Sequence, residues 1–179
     1  MSFLLDTNVV SELRKRPGVV DPNVSAWSRA RPVEDLFISV VTVLEIEIGV
    51  ARVERRDPRQ GKILRSWLEV AVLPGFSNRI LPVGLDVARR AAPLHVPDPR
   101  PERDAYIAAT ALAAGLTVVT RNVADFEYTK AALINPPLGR RTPRPQPHPA
   151  LAHPPTPGRV TERGPDTVVD RLPLLPQRR

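Results

Sequence analysis

Short apolar runs alternate with helical stripes along the first 134 residues. Phe3-Leu4-Leu5 is an unbroken apolar run that stops at Asp6, the pattern of a strand buried on both faces. Asp6-Thr7-Asn8 punctuates it, and a helix is predicted over 9–15, broken at Pro17-Gly18. A short helix follows over 23–30, then a second buried strand over 36–41. Val43, Ile46, Val50 and Val53 recur at intervals of three and four, so 42–56 reads as a helix with one apolar stripe. Ile63, Leu64, Trp67, Leu68 and Ala71 predict a second such helix over 60–72, closed by Pro74-Gly75. Ile80-Leu81 suggests a small strand and 85–94 a helix; Pro97, Pro99 and Pro101 mark a loop. An alanine-rich helix over 103–114 ends at Gly115, a fitting C-terminal cap. A third strong strand over 116–120, a turn within 123–128 and a last strand over 131–134 complete the pattern.

Strands that are apolar throughout, separated by helices, indicate a mostly parallel sheet covered on both faces. The expected fold is a three-layer α/β/α domain. In open sheets of this kind ligands bind outside the carboxyl ends of the strands. The residues that follow each strand are therefore the place to look for chemistry.

Composition narrows that chemistry. The 179 residues contain no cysteine and three histidines, two of them beyond residue 134. This excludes a disulfide scaffold, a thiolate zinc site and a cysteine nucleophile, and leaves oxygen ligands for any metal. The net charge is +7, but eight of the 26 basic residues and only three of the 19 acidic ones lie beyond residue 134. The first 134 residues are nearly balanced, so the high isoelectric point does not mark them as a nucleic-acid binder. Twelve of the 22 prolines lie in the same late segment. The expected division is a folded domain over 1–137 and a disordered, proline- and arginine-rich tail over 138–179. That tail reads as an extension without a role of its own in preference to a basic arm on RNA. No basic leader precedes the first apolar run, and the longest uncharged stretch, 105–120, is shorter than the roughly 20 residues of a membrane span. A soluble, cytoplasmic protein without membrane attachment is expected.

Four acids stand near strand ends or the helices beside them. Asp6 ends the first strand, and Glu45 lies one turn into the helix after the second. Asp104 opens the helix that feeds the third strong strand, and Asp125 follows that strand. Four carboxylates converging on one edge would hold Mg²⁺ or Mn²⁺, ions that acidify water and stabilise the oxygens of a phosphodiester under attack. Without a cation such acids would repel one another. Each also has a plain structural reading. Asp6 could cap a helix, Thr42-Val43-Leu44-Glu45 fits a capping box, Asp104 could favour a helix dipole, and Asp125 could sit in a solvated loop. A noncatalytic α/β module that binds nucleic acid or protein, its acids serving as caps, is therefore the alternative. An aspartyl phosphatase is disfavoured because the second acid it would need two residues on is Asn8. Glu47 lies about 200° around the helix from Glu45 and should face elsewhere, whereas Gly49 and Arg52 share the Glu45 face.

The segments 3–12 (FLLDTNVVSE), 39–49 (SVVTVLEIEIG), 104–111 (DAYIAATA) and 119–126 (VTRNVADF) together resemble PIN-domain ribonucleases of the VapC toxin type, closest to the FitB-like branch. The resemblance covers roughly residues 2–136, with the motifs in order. It implies that Asp6, Glu45 and Asp104 hold Mg²⁺. A fourth position is implied in the last motif, where this chain offers Asn122 and Asp125; many relatives have an aspartate in place of Asn122. It further implies an RNA substrate, a small antitoxin that inserts a basic side chain near Asp6 and Asp104, a homodimer and a toxin–antitoxin hetero-oligomer. The antitoxin would also need an apolar groove, which the helices around Trp67 and 9–13 could provide, although both read equally as core. Candidate RNA contacts are Arg14, Lys15, Arg16, Arg52, Arg55, Arg56 and Arg121.

Overall fold

The computed structural model describes residues 1–136; the tail expected over 138–179, and its boundary, lie outside the described residues. Five strands form one parallel sheet: β1 (Phe3–Leu5), β2 (Leu36–Ser39), β3 (Ile80–Leu81), β4 (Thr117–Val119) and β5 (Leu133–Ile134), in the order β3-β2-β1-β4-β5. Phe3 lies opposite both Leu36 and Thr117, which makes β1 the central strand. Between the strands run α1 (Thr7–Leu13), α2 (Pro22–Arg29), α3 (Val40–Arg56), α4 (Pro58–Trp67), α5 (Leu73–Gly75), α6 (Leu85–Ala91) and α7 (Glu102–Ala114).

The three layers follow from the alternation of side chains across the sheet. Phe3 and Leu5 join Leu36, Ile38, Val9, Trp27, Ile46 and Trp67 in one core cluster. Leu4 turns the other way, toward Val118, Ile107, Ala108, Phe126 and Leu133. Leu4, Leu5, Leu36 and Ile38 are wholly shielded. Each such side chain contributes about 1.5–3 kcal/mol relative to exposure, which is why no polar residue interrupts these strands. The small residues Ala108 and Ala111 let α7 lie close on the sheet, while Ala109 packs against Val87 and Ala91 of α6.

Several boundaries depart from the expected ones. Helix α3 starts at Val40 because Ser39 caps it: the Ser39 hydroxyl accepts from the Val41 N–H at 3.2 Å. The capping box expected at Thr42 is therefore absent, and the Thr42 hydroxyl is buried without a partner. Within the helix expected over 60–72, α4 ends at Trp67 and the chain goes on as a wider turn, Leu68–Val72, in which the Leu73 N–H donates to the Leu68 carbonyl, and then as α5. Pro74 has no N–H to give, and the widened turn before it takes up the change in register. Likewise α6 ends at Ala91 and passes into a 3-10 turn, Ala92–His95, at Pro93. Of the two readings of Trp67 and 9–13, groove or core, the structure takes the second: Val9, Val10, Leu13 and Trp67 are all core. Among the described residues, no helix is long and apolar enough to cross a membrane.

Helices α3 and α4 cross closely. A methyl group on Gly61 would stand 2.7 Å from the Glu54 backbone nitrogen, so the crossing requires glycine there. In the middle of the sheet the strand order reverses between β1 and β4. The chain leaves these neighbouring strands toward different sides, which opens a crevice at their carboxyl ends.

Candidate active site

Asp6 stands at that crevice. It ends β1 and caps α1, its Oδ1 accepting from the Thr7 N–H at 2.7 Å. Its Oδ2 accepts from the Asn8 side-chain amide at 2.6 Å and from the Thr120 hydroxyl at 2.7 Å. Its own N–H donates to the Val119 carbonyl at 3.0 Å. Thr120 follows β4 directly, so both strands at the switch point hold this one carboxylate. Asn8 also donates to Thr120 at 3.1 Å.

The other acids arrive from separate elements. Glu45 lies in the second turn of α3, where the Thr7 hydroxyl donates to its Oε2 and Arg103 Nη1 lies 3.7 Å from its Oε1. Asp104 occupies the first turn of α7, and Asp125 ends a 3-10 turn, Val123–Asp125. Asn122, the residue before that turn, donates from its side-chain amide to Asp125 Oδ2. Asp6, Glu45, Asp104, Asn122 and Asp125 all line one cleft of about 370 Å³, together with Thr7, Asn8, Ile48, Gly49, Arg52 and Arg103.

The cleft is short of positive charge. Burial pushes the Asp6 carboxyl up to about 6, and the charges of Glu45 and Asp104 add to this against the opposing hydrogen bonds from Thr120 and Thr7. Asp104 is also pushed up to about 6, by burial and then by Asp125 and Glu45, with Arg103 opposing. Such values describe a pocket that favours a proton or a cation.

The donor chemistry fits a hard divalent ion: carboxylate, amide and hydroxyl oxygens, with no sulfur and no imidazole. As the side chains are turned, no three acidic, histidine or cysteine groups among the described residues are arranged to hold an ion. Glu45 is turned to Thr7 and Arg103, and Asp125 to Asn122. Repelling carboxylates turn toward the nearest donors.

The structural readings of the four acids fare unevenly. Asp6 does cap its helix, but the bond takes one oxygen and leaves Oδ2 to the Asn8 and Thr120 side chains. Glu45 has no capping role, since Ser39 fills it. Of the candidate RNA contacts, Arg52 lines the cleft. Arg14 lies over the Trp67 ring at 5.7 Å, Lys15 and Arg121 pair with Glu12, and Arg16, Arg55 and Arg56 are exposed. Glu47 faces away from the cleft and pairs with Arg65. Sequence reasoning did not single out Thr7, Arg103, Thr120 or the buried Glu12. A threonine directly after a strand beside β1 was the available signal for Thr120.

Comparison with known proteins bears on the fold and the family. The model of the PIN domain matches residues 3–130, a span that holds all four acids and Asn122. VapC ribonuclease Y4jK of Sinorhizobium fredii is 39% identical over 139 residues, covering 75% of this chain and 96% of that protein. Toxin FitB of Neisseria gonorrhoeae is 39% identical over 141 residues, covering 75% of this chain and 97% of its own length. The crystal structure of FitAcB from Neisseria gonorrhoeae superimposes with a TM-score of 0.68 at 36% identity, over 76% of this chain and 99% of that one. With the parallel sheet, the acids at its switch point and these matches all in agreement, the chain belongs to the PIN-domain family.

Proposed function

We propose that the protein is the ribonuclease toxin of a toxin–antitoxin pair, an endonuclease that hydrolyses RNA phosphodiester bonds in the cytoplasm. One observation carries the reading: four carboxylates from four chain segments line a single cleft at the switch point of the sheet. Nucleases of this family generally need a divalent metal. Asp6, Glu45, Asp104 and Asp125 would hold it, with Asn122 as a further oxygen donor; Mg²⁺ suits these ligands, and Mn²⁺ would replace it. When bound, such an ion lowers the pKa of water and offsets charge on the phosphate.

The remaining chemistry belongs to the chain. Three hydrogen bonds hold Asp6, so its oxygens need little reorganisation when a ligand enters. Thr7 and Arg103 hold Glu45, which would have to turn from them to reach an ion beside Asp6. Arg52 and Arg103 offer guanidinium groups on the cleft wall, where each can grip an RNA phosphate through paired N–H donors. Gly49 leaves the wall beside Glu45 bare, since a methyl group there would meet nothing within 4 Å. A small antitoxin with a basic side chain would satisfy the same negative pocket and block it, within a homodimer and a larger hetero-oligomer.

The test is cleavage of RNA with and without Mg²⁺, with the new ends mapped. The expected result is cutting that leaves 5′-phosphate ends, is lost in EDTA, and falls more than about a hundredfold in Asp104→Asn with the circular dichroism unchanged. Full cutting in EDTA or in Asp104→Asn would overturn the mechanism. Absence of any cutting, with no effect of Mg²⁺ on melting, would favour the noncatalytic alternative.

A further inference from the structure

We propose that Glu12 and Arg121 form a positioning clamp that holds the segment carrying Asn122 and Asp125 against α1, and so sets the donors of the cleft. The inference rests on the nuclease reading of that cleft.

Glu12 projects from α1 and is only 3% exposed. Its Oε1 accepts from the Asp21 N–H at 2.9 Å, and its Oε2 accepts from Lys15 Nζ and from Arg121 Nη1, each at 2.7 Å. Arg121 Nη2 lies 3.8 Å from Asp21 Oδ2. The Arg121 side chain is thus directed to α1 and the start of α2. Neither Glu12 nor Arg121 lines the cleft, whereas the next residue, Asn122, does.

The backbone of the same residue is tied to the cleft. The Arg121 N–H donates at 3.1 Å to Asn8 Oδ1, and the Asn8 amide donates at 2.6 Å to Asp6. The Asn122 N–H donates at 3.0 Å to Thr120, which itself donates to Asp6. Residue 121 is therefore anchored twice, by its main chain to the Asp6 cluster and by its side chain to a buried carboxylate. A buried carboxylate that loses one partner leaves the others in strained company, so Glu12 makes the position of Arg121 specific. The guanidinium is also engaged, which argues against a direct hold on RNA.

The test uses the full chain and four variants: Arg121→Ala, Arg121→Lys, Glu12→Gln and the double Glu12→Gln/Arg121→Ala. Two readouts are taken, Mg²⁺-dependent RNA cleavage resolved into kcat and KM, and the rise in melting temperature on Mg²⁺ titration without RNA. Arg121→Ala is expected to lower kcat, and to raise the Mg²⁺ concentration at half effect, by about 10–100-fold each. KM and its salt dependence should stay within about twofold, since no phosphate contact is lost. Glu12→Gln should move the same quantities in the same direction, the double variant should be no worse than Arg121→Ala, and Arg121→Lys should recover part of the loss. A raised KM with unchanged kcat and unchanged Mg²⁺ response would make Arg121 an RNA contact and overturn the clamp. So would activity losses that merely track a lower melting temperature. If the wild type cuts no RNA, the nuclease reading fails by itself, and the Mg²⁺ melting titration still decides: a response equal in wild type and Arg121→Ala overturns the clamp, and a weakened one supports it.

Discussion

Helix α3 presents two acidic faces that end differently. On one, Glu47 and Glu54 meet Arg65 of α4, which also approaches Glu69: Arg65 Nη1 is 2.5 Å from Glu47, Nε is 3.1 Å from Glu54, and Nη1 is 3.8 Å from Glu69. On the other, Glu45 joins Asp6, Asp104 and Asp125, with Arg103 at 3.7 Å. Each region also contains a glycine. Gly61 is required by the backbone of the neighbouring helix, and Gly49 opens on empty space. The α3–α4 face is completed within the chain, where pairing and packing account for each residue. The cleft is not, and its surplus charge and bare wall make sense only with something that enters from outside.

The largest effect that would break this contrast is electrostatic. Asp6 titrates near 6 in the folded chain against 3.8 ordinarily. Its stabilising contribution is thus fully present below about pH 3.8 and lost as the pH rises through 6. The ion-free protein should therefore melt higher at pH 5 than at pH 7.5, with Asp6 accounting for about 1.4 kcal/mol and Asp104, raised in the same direction, adding to it. Mg²⁺ added at pH 7.5 should restore much of the difference. Equal melting temperatures at the two pH values in EDTA would mean that the cleft is not overcharged.

Smaller effects separate the two glycines. Gly61→Ala must push α4 off Glu54 and should cost about 1–3 kcal/mol, a fall of several degrees in thermal melting. Gly49→Ala meets nothing and removes a mid-helix glycine, so it should stabilise by up to about 1 kcal/mol. Its RNA cleavage should nonetheless slow, because the new methyl group stands in the cleft. A Gly49→Ala protein that melts lower, or cuts at the wild-type rate, would remove the second half of the comparison.

Much of this architecture can be read from the chain. Phe3–Leu5 and Leu36–Ser39 announce themselves because both faces of a parallel strand are buried, and Val43, Ile46 and Val50 mark α3 by period alone. Asp6 and Glu45 are findable because a parallel sheet binds ligands at its carboxyl edge. What escapes is whatever depends on distant partners. Ser39 and Thr42 are both competent caps, and only the length of β2 decides between them. Trp67 reads equally as core or as a docking face until α4 is packed. Thr120 and Asn8 acquire their roles through bonds spanning more than 110 residues, and Glu12 through a bond to Arg121 spanning 109. No local pattern encodes such bonds.

The central place of β1 has a consequence for how the protein comes to exist. Its first strand pairs with β4, so Leu4 must wait for Val118, and Asp6 for Thr120. At about 5–20 residues per second of synthesis, several seconds pass between the emergence of the first acid and that of its hydroxyl partner. Throughout that interval the growing chain has no assembled cleft and can harm no RNA. The cleft is completed late, when the fourth strand docks beside the first, so its chemistry begins only once nearly all of residues 1–136 have been made.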